Sequence, residues 1–389
     1  MAATKYVSKA CKAHVLLLLE TVGPLVLQHL GWVPREGGDG GKAQSHVATL
    51  WTSVVLIATA SSCIYAGSWR SVRPKPGEGE KVDDEDKPVS MTAGDAMRFP
   101  LVGSAVLLGL FTAIKLLPAS MISLVVGWYF VLLGTFAIAA TALPFVPFGN
   151  TRGFLKLGFL NKLPKIVKLF LFEAEDVGAL EVTLAELICG LGSFGFCCWY
   201  HASRHWVSNN VIGIGFCVQG IEMLSLGSVQ VGMILLSGLF FYDIFWVFFT
   251  PVMVTVAKSF DAPIKLLFLR SLSASVAGET GQAPKPQFSM LGLGDIVIPG
   301  IYLALLLRMD HKRGFDKSNY FGFVFVSYIL GLVVTLVVMN VFNHAQPALL
   351  YLVPACLGAT FLMAVKRKEV KFIFNWSEEE EEEDAKKDK

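Results

Sequence analysis

The chain has 389 residues, 54% of them hydrophobic and only 16% charged, with a formal net charge of +2. Together with a mean hydropathy of +0.57, this describes a polytopic membrane protein rather than a large soluble domain. The basic residues are spread along the chain instead of gathered in one patch, so a nucleic-acid partner is excluded.

Residues 14–33 form a weak apolar run broken by Glu20, Pro24 and His29. It reads as an interfacial or signal-like segment rather than a tenth span, and a Gly-rich linker at 36–41 follows it. Nine apolar stretches then lie at 49–68, 99–117, 121–143, 182–200, 210–227, 231–250, 289–307, 320–342 and 345–365. The hydrocarbon core is about 30 Å thick, and stretches near 20 residues cross it as helices. The expected fold class is an all-α polytopic bundle of about nine transmembrane helices.

This divides the chain into an N-terminal luminal segment (1–48), a first membrane bundle of about five helices (49–230), a second region of about four helices (231–365) and a charged tail (366–389). The Pro-, Gly- and acid-rich stretch 74–88 reads as a solvated linker. Loops 69–98, 144–181 and 308–319 hold 15 Lys and Arg residues, against 6 in the alternate loops with flanking Lys115. That bias places the C-terminus in the cytosol and the start of the first span outside it. The seven cysteines are odd in number, fall mostly in apolar runs and show no metal-ligand spacing, so they read as small core- or lipid-facing side chains.

Two aspartates sit inside apolar spans, Asp243 in the sixth and Asp295 in the seventh. An intramembrane carboxylate is costly and marks a functional site when a partner can be named. Each is the other's obvious partner. Asp243 lies seven residues before Thr250 and Asp295 six residues after Ser289, which at 1.5 Å per helical residue puts each roughly 10 Å below a common outer boundary. Two carboxylates held close together share one proton, so one can activate water while the other polarises a carbonyl. Gly292 and Gly294 leave room beside Asp295 for an extended substrate. Pro347 and Pro354, at the start of the ninth span, are expected to leave backbone groups unsatisfied there. Glu186 and Glu222, also within spans, read as structural, hydrogen-bonded in the bundle.

Three strings then carry a resemblance: Tyr242-Asp243, Gly292-Leu293-Gly294-Asp295 and Gln346-Pro347-Ala348-Leu349. In this order and spacing they resemble the signatures of the presenilin and signal peptide peptidase family of intramembrane aspartyl proteases, and the residues around them are closer to the signal peptide peptidase branch. The resemblance covers roughly residues 48–370, and Arg98-Phe99-Pro100 also falls in a family-like place. It implies a presenilin-like bundle, with Asp243 and Asp295 as the catalytic pair. Tyr242, Gly292, Leu293, Gly294, Gln346, Pro347, Ala348 and Leu349 would shape the site and hold the substrate.

The implied reaction is hydrolysis of signal peptides and other type II transmembrane helices within the bilayer, with no metal and no cofactor. Lys386 and Lys387 resemble a dilysine retrieval signal for the endoplasmic reticulum, with the N-terminus luminal. Membrane lipid is the remaining partner, and a homo-oligomer stays open. On the residues alone, an aspartate-dependent proton or cation conductor and a catalytically silent membrane-helix binding protein also stay open.

Overall fold

The structure is a computed structural model that describes residues 35–36, 41–72, 90–146, 155–157, 180–259, 262–273, 285–314, 319–342 and 346–378. Its helices, in chain order, are α1 (Gly41–Ser71), α2 (Ala93–Leu116), α3 (Ala119–Ala142), α4 (Leu184–Ser203), α5 (Trp206–Met223), α6 (Val229–Phe248), α7 (Val252–Ser259), α8 (Gly294–Arg313), α9 (Tyr320–Phe342), α10 (Leu349–Arg367) and α11 (Val370–Asn375). Among the described residues, nine of them, all but α7 and α11, have 18 residues or more. They coincide in order with the nine expected spans.

Six are long and apolar enough to cross a membrane on composition alone. The other three, α4, α5 and α8, carry polar side chains that the bundle uses internally. Glu186 sits in the first turn of α4 and closes a capping box with Thr183, while Glu222 at the end of α5 pairs with Arg70 at 2.6 Å. Both glutamates are therefore structural, as expected, but Glu186 serves as a cap rather than as a buried group.

Helix α8 is the hub. It packs against α1, α5, α6, α9 and α10, and every residue from Pro299 to Asp310 is buried. A helix without a polar face must be enclosed by neighbours on all sides. Close approach is enforced at Gly300, where an added Cβ would stand 2.5 Å from the Ile221 side chain of α5. By contrast α2 turns an apolar face outward through Leu101, Val102 and Val106, as a lipid-facing helix does. It is fastened to α6 by the Trp246 indole, which donates to Ser104 Oγ at 3.1 Å.

One end of the bundle is ionic. Arg70 donates to Glu222 and to the carbonyls of Ala140 and Thr141, joining α1, α5 and α3. Arg308 donates to both Glu378 oxygens and to Ser71 and Ser225. Arg313 holds Glu369 bidentately at 2.9 and 3.1 Å, and Tyr320 donates to the same carboxylate. The beginning of the 366–389 segment is thus docked: Glu378 N–H donates to the Gly227 carbonyl at 2.8 Å, and Trp376 is 3% exposed.

Arg313 holds the Glu369 carboxyl below its ordinary value of 4.5. A depressed carboxyl stabilises the fold above its unfolded value, and that contribution is lost as pH falls through the folded one. Thermal unfolding followed from pH 6 downward should show an acid-side loss of stability that is shallower in Glu369→Gln than in the parent.

Seven strands accompany the helices among the described residues: β1 (Arg35–Glu36), β2 (Ser90–Met91), β3 (Leu155–Leu157), β4 (Leu180–Val182), β5 (Ser225–Leu226), β6 (Lys265–Ser273) and β7 (Lys285–Gly292). Strands β6 and β7 form an antiparallel hairpin, register Lys265↔Gly292 to Ser273↔Lys285, with an irregularity between Leu269 and Ser271. Strand β1 joins the far end of β6, so β7 is an edge of the sheet order β1-β6-β7.

The hairpin corrects the seventh span. Residues 289–292 are extended and paired, and the helix begins at Gly294. A short apolar run reads equally as strand or helix, and here pairing with β6 decides it. The ninth span likewise starts at Leu349 rather than at residue 345. The 14–33 segment and Lys386 and Lys387 lie outside the described residues.

Candidate active site

Helices α6 and α8 run antiparallel, and the end of the bundle away from the ionic contacts holds both aspartates. Asp243 lies five residues before the end of α6, and Asp295 is the second residue of α8. The two carboxyls lie within Coulombic reach of one another. Both lie at the same end of the bundle, but the expected residue count does not describe how, because the chain reaches Asp295 as a strand. The strand β7 rises about 3.3 Å per residue against 1.5 Å in a helix, so matched residue counts did not measure matched depth.

Asp243 is 6% exposed, and its Oδ2 accepts the Leu349 N–H at 3.2 Å. Leu349 is the first residue of α10, and the amides of a helix's first turn have no intrahelical acceptor. One backbone group near Pro347, the Leu349 amide, is therefore taken up by Asp243 itself. Pro347, Ala348 and Leu349 are buried, and Gln346 is partly so. Ala348 and Leu349 belong to the main apolar core, which fixes the donor in place.

Asp295 is partly exposed, and the residues before it are held by backbone. Leu293 N–H donates to the Ile264 carbonyl at 3.0 Å, and its side chain packs beside Gly213 of α5. Leu293 thus anchors the turn. Gly294 is exposed and open on the side where a Cβ would project.

Gly292 has a different role from the one its neighbour suggests: an added Cβ would stand 3.2 Å from Asp295 Oδ2. The space it leaves is filled by the carboxylate rather than kept for a substrate. Gly292→Ala should push that carboxyl aside by a few tenths of an ångström and lower kcat about fivefold, given that a 1 Å misplacement costs roughly a hundredfold. The melting temperature should stay within the error of the parent, so kcat and thermal unfolding measured together check this. Tyr242 packs its ring beside Gly103 of α2, with Trp246 at 6.3 Å between centroids.

Two residues unmarked in the sequence reading hold the hairpin under the site. Asn210 makes a two-way amide clasp on Leu267, donating to its carbonyl at 2.7 Å and accepting its N–H at 2.8 Å. Asn209 donates to the Lys265 carbonyl at 2.7 Å and lies within reach of the Tyr200 hydroxyl at 3.4 Å. These side chains satisfy the near half of the β6 edge that β1 does not cover. The available signal was an Asn-Asn pair in the first turns of α5.

The arrangement is chemically suited to hydrolysis. Two carboxyls from different helices lie at one end of the bundle, one bearing a fixed amide donor, beside a strand that is a sheet edge among the described residues.

Comparison with known proteins agrees with this chemistry. Residues 83–380 match the family model described as signal peptide peptidase. The chain is 42% identical over 339 residues to the mouse protein named signal peptide peptidase, covering 85% of this chain and 84% of that protein. The human protein of the same name is 41% identical over the same length and shares. A Caenorhabditis elegans protein named intramembrane protease 2 is 48% identical over 187 residues, 45% of this chain and 39% of that one.

Proposed function

The chain belongs to the signal peptide peptidase family, and from that premise we propose that this multi-pass membrane protease is an aspartyl endopeptidase whose catalytic pair is Asp243 and Asp295. The observation that carries the reading is the convergence of these two carboxyls, from antiparallel helices, at one end of the bundle, with the Leu349 amide on Asp243. An N–H donor favours the ionised form of the carboxylate that accepts it. Asp243 is therefore the general base and Asp295 the general acid.

A peptide bond inside an intact helix hides its carbonyl in an internal hydrogen bond, so the substrate must unwind before it is cut. Strand β7, a sheet edge among the described residues, ends three residues before Asp295 and offers backbone groups to an extended segment, which offsets part of the unwinding cost. Asp243 then takes a proton from water as the oxygen attacks the scissile carbonyl carbon, while Asp295 gives its proton to the carbonyl oxygen. On collapse, Asp295 recovers that proton, the C–N bond breaks, and the amine leaves with the proton held by Asp243. Both carboxyls return to their starting states, and no other group is consumed.

The substrates are signal peptides and other type II transmembrane helices, and the site of action is the membrane of the endoplasmic reticulum. The basic, ionic end of the bundle is cytosolic under the charge bias of the loops, which puts the aspartate end toward the lumen. Lys386 and Lys387 serve as the retrieval signal. Membrane lipid and a second copy of the chain are the other partners, and the 49–230 and 231–365 halves supply the scaffold and the catalytic region.

The test is the purified protein in liposomes given a synthetic signal peptide. Shortened peptide without aspartate-dependent proton flux supports the protease, whereas flux with the peptide left whole supports a conductor instead.

A further inference from the structure

Pro299 lies inside α8, four residues after Asp295. In an α-helix the carbonyl of residue i accepts the N–H of residue i+4, and proline has no N–H. The carbonyl of Asp295 therefore loses its ordinary helical partner at the residue that carries the acid. A different group takes its place: the Tyr328 hydroxyl of α9 donates to the Asp295 carbonyl oxygen at 3.3 Å. Tyr328 is fully buried, at 0% exposure, and lies in the main core. Its ring is locked by packing, and its hydroxyl has been brought across from another helix to an otherwise orphaned acceptor. A buried carbonyl without a donor is costly, and a phenol in the core normally finds a partner.

We propose that Tyr328 is a positioning residue for catalysis, fixing the backbone of the first turn of α8 so that the Asp295 carboxyl meets Asp243. This rests on the reading of Asp295 as one of the catalytic pair. The substitution of a proline-freed carbonyl by a cross-helix hydroxyl separates two functions that a regular helix would join. Pro299 removes the rigid ladder bond at the acid, and Tyr328 sets the position of that turn from α9. Leu293 holds the turn from the hairpin side through the Ile264 carbonyl, and the tyrosine hydroxyl holds it from α9, so the carboxyl is aimed from two points.

The experiment is a cycle of Tyr328→Phe, Pro299→Ala and the double variant, all purified as full-length protein and assayed on a synthetic signal peptide. Tyr328→Phe keeps the ring and removes only the hydroxyl. Its kcat should fall about tenfold with KM within about twofold, the pattern of a misplaced catalytic group rather than lost substrate binding. Pro299→Ala returns an N–H that can donate to the Asp295 carbonyl, so the double variant should recover most of the lost kcat. Binding of a peptide isostere with a hydroxyethylene group at the scissile bond should weaken in Tyr328→Phe and recover in the double variant. A tyrosine needed only for core packing would not produce that coupled recovery.

Parent-like kcat in Tyr328→Phe, or a loss that Pro299→Ala leaves undiminished, overturns the proposal. Asp295→Asn run alongside separates the two layers of the account. If that variant still cleaves, the catalytic assignment itself fails; if it is inactive while Tyr328→Phe is normal, only the role of Tyr328 fails.

Discussion

Asp295→Asn is expected to leave a folded bundle that no longer cleaves. The substitution keeps the shape of the side chain and removes the proton that would pass to the substrate carbonyl. General acid–base groups contribute roughly 10²- to 10⁴-fold each, and in a pair that shares the reaction the loss of one member disables both. A fall of at least about 10³-fold in kcat follows.

Stability should barely move or should rise. Asp295 makes no ion pair among the described residues, and as the protonated member of the pair it loses no charge when it becomes an amide. The check is a cleavage assay beside a thermal melt: a high melting temperature with no product is the expected combination. Asp243→Asn should be equally inactive, but it also weakens the Leu349 N–H contact of α10, since a neutral amide oxygen accepts less strongly than a carboxylate.

Asn210→Leu carries the second large effect, and it reaches the site through the backbone. The substitution is close to isosteric but strips both halves of the clasp on Leu267. Two part-buried backbone groups are left without partners, at ~1–3 kcal/mol each. Strand β6 would then detach from α5 at the level where Ile264 holds Leu293, two residues before Asp295. Cleavage and stability should therefore fall together, unlike in Asp295→Asn. Hydrogen exchange at Leu267 and along the β6–β7 ladder, together with kcat, distinguishes the two cases. Protection of those amides in Asn210→Leu equal to the parent would mean that the clasp does not hold the hairpin.

Much of the helical architecture is legible in the sequence because an apolar helix near 20 residues long has few alternatives in a membrane. The nine stretches and the paired aspartates come directly from that constraint. The hairpin does not, and residues 285–292 show why. Lys285-Pro286-Gln287-Phe288-Ser289-Met290-Leu291-Gly292 is too short and too mixed for periodicity to separate strand from helix, and its partner strand contributes the deciding hydrogen bonds from 20 residues earlier.

The roles of single residues were harder still. Gly292 is legible as a place without a side chain, but which atom fills the space depends on how Asp295 turns. Leu349 is legible as the start of a helix, but its acceptor, Asp243, is 106 residues away in sequence. Pro299 four residues after Asp295 was a readable sign that a carbonyl had been freed. The donor, Tyr328, comes from another helix and leaves no local trace in the chain. Polar residues such as Asn209, Asn210 and Arg308 stand at the ends of the expected spans, whereas in the fold they join strands and helices that the apolar pattern alone would leave unregistered.

The most direct test of the central claim is to incubate the purified, detergent-solubilised protein, Asp243→Asn and Asp295→Asn with one synthetic signal peptide and read the products by mass spectrometry. The account predicts cuts within the apolar stretch of the peptide by the parent protein and intact peptide with both variants. Cleavage that persists in either variant, or intact peptide bound by all three folded proteins, would contradict it.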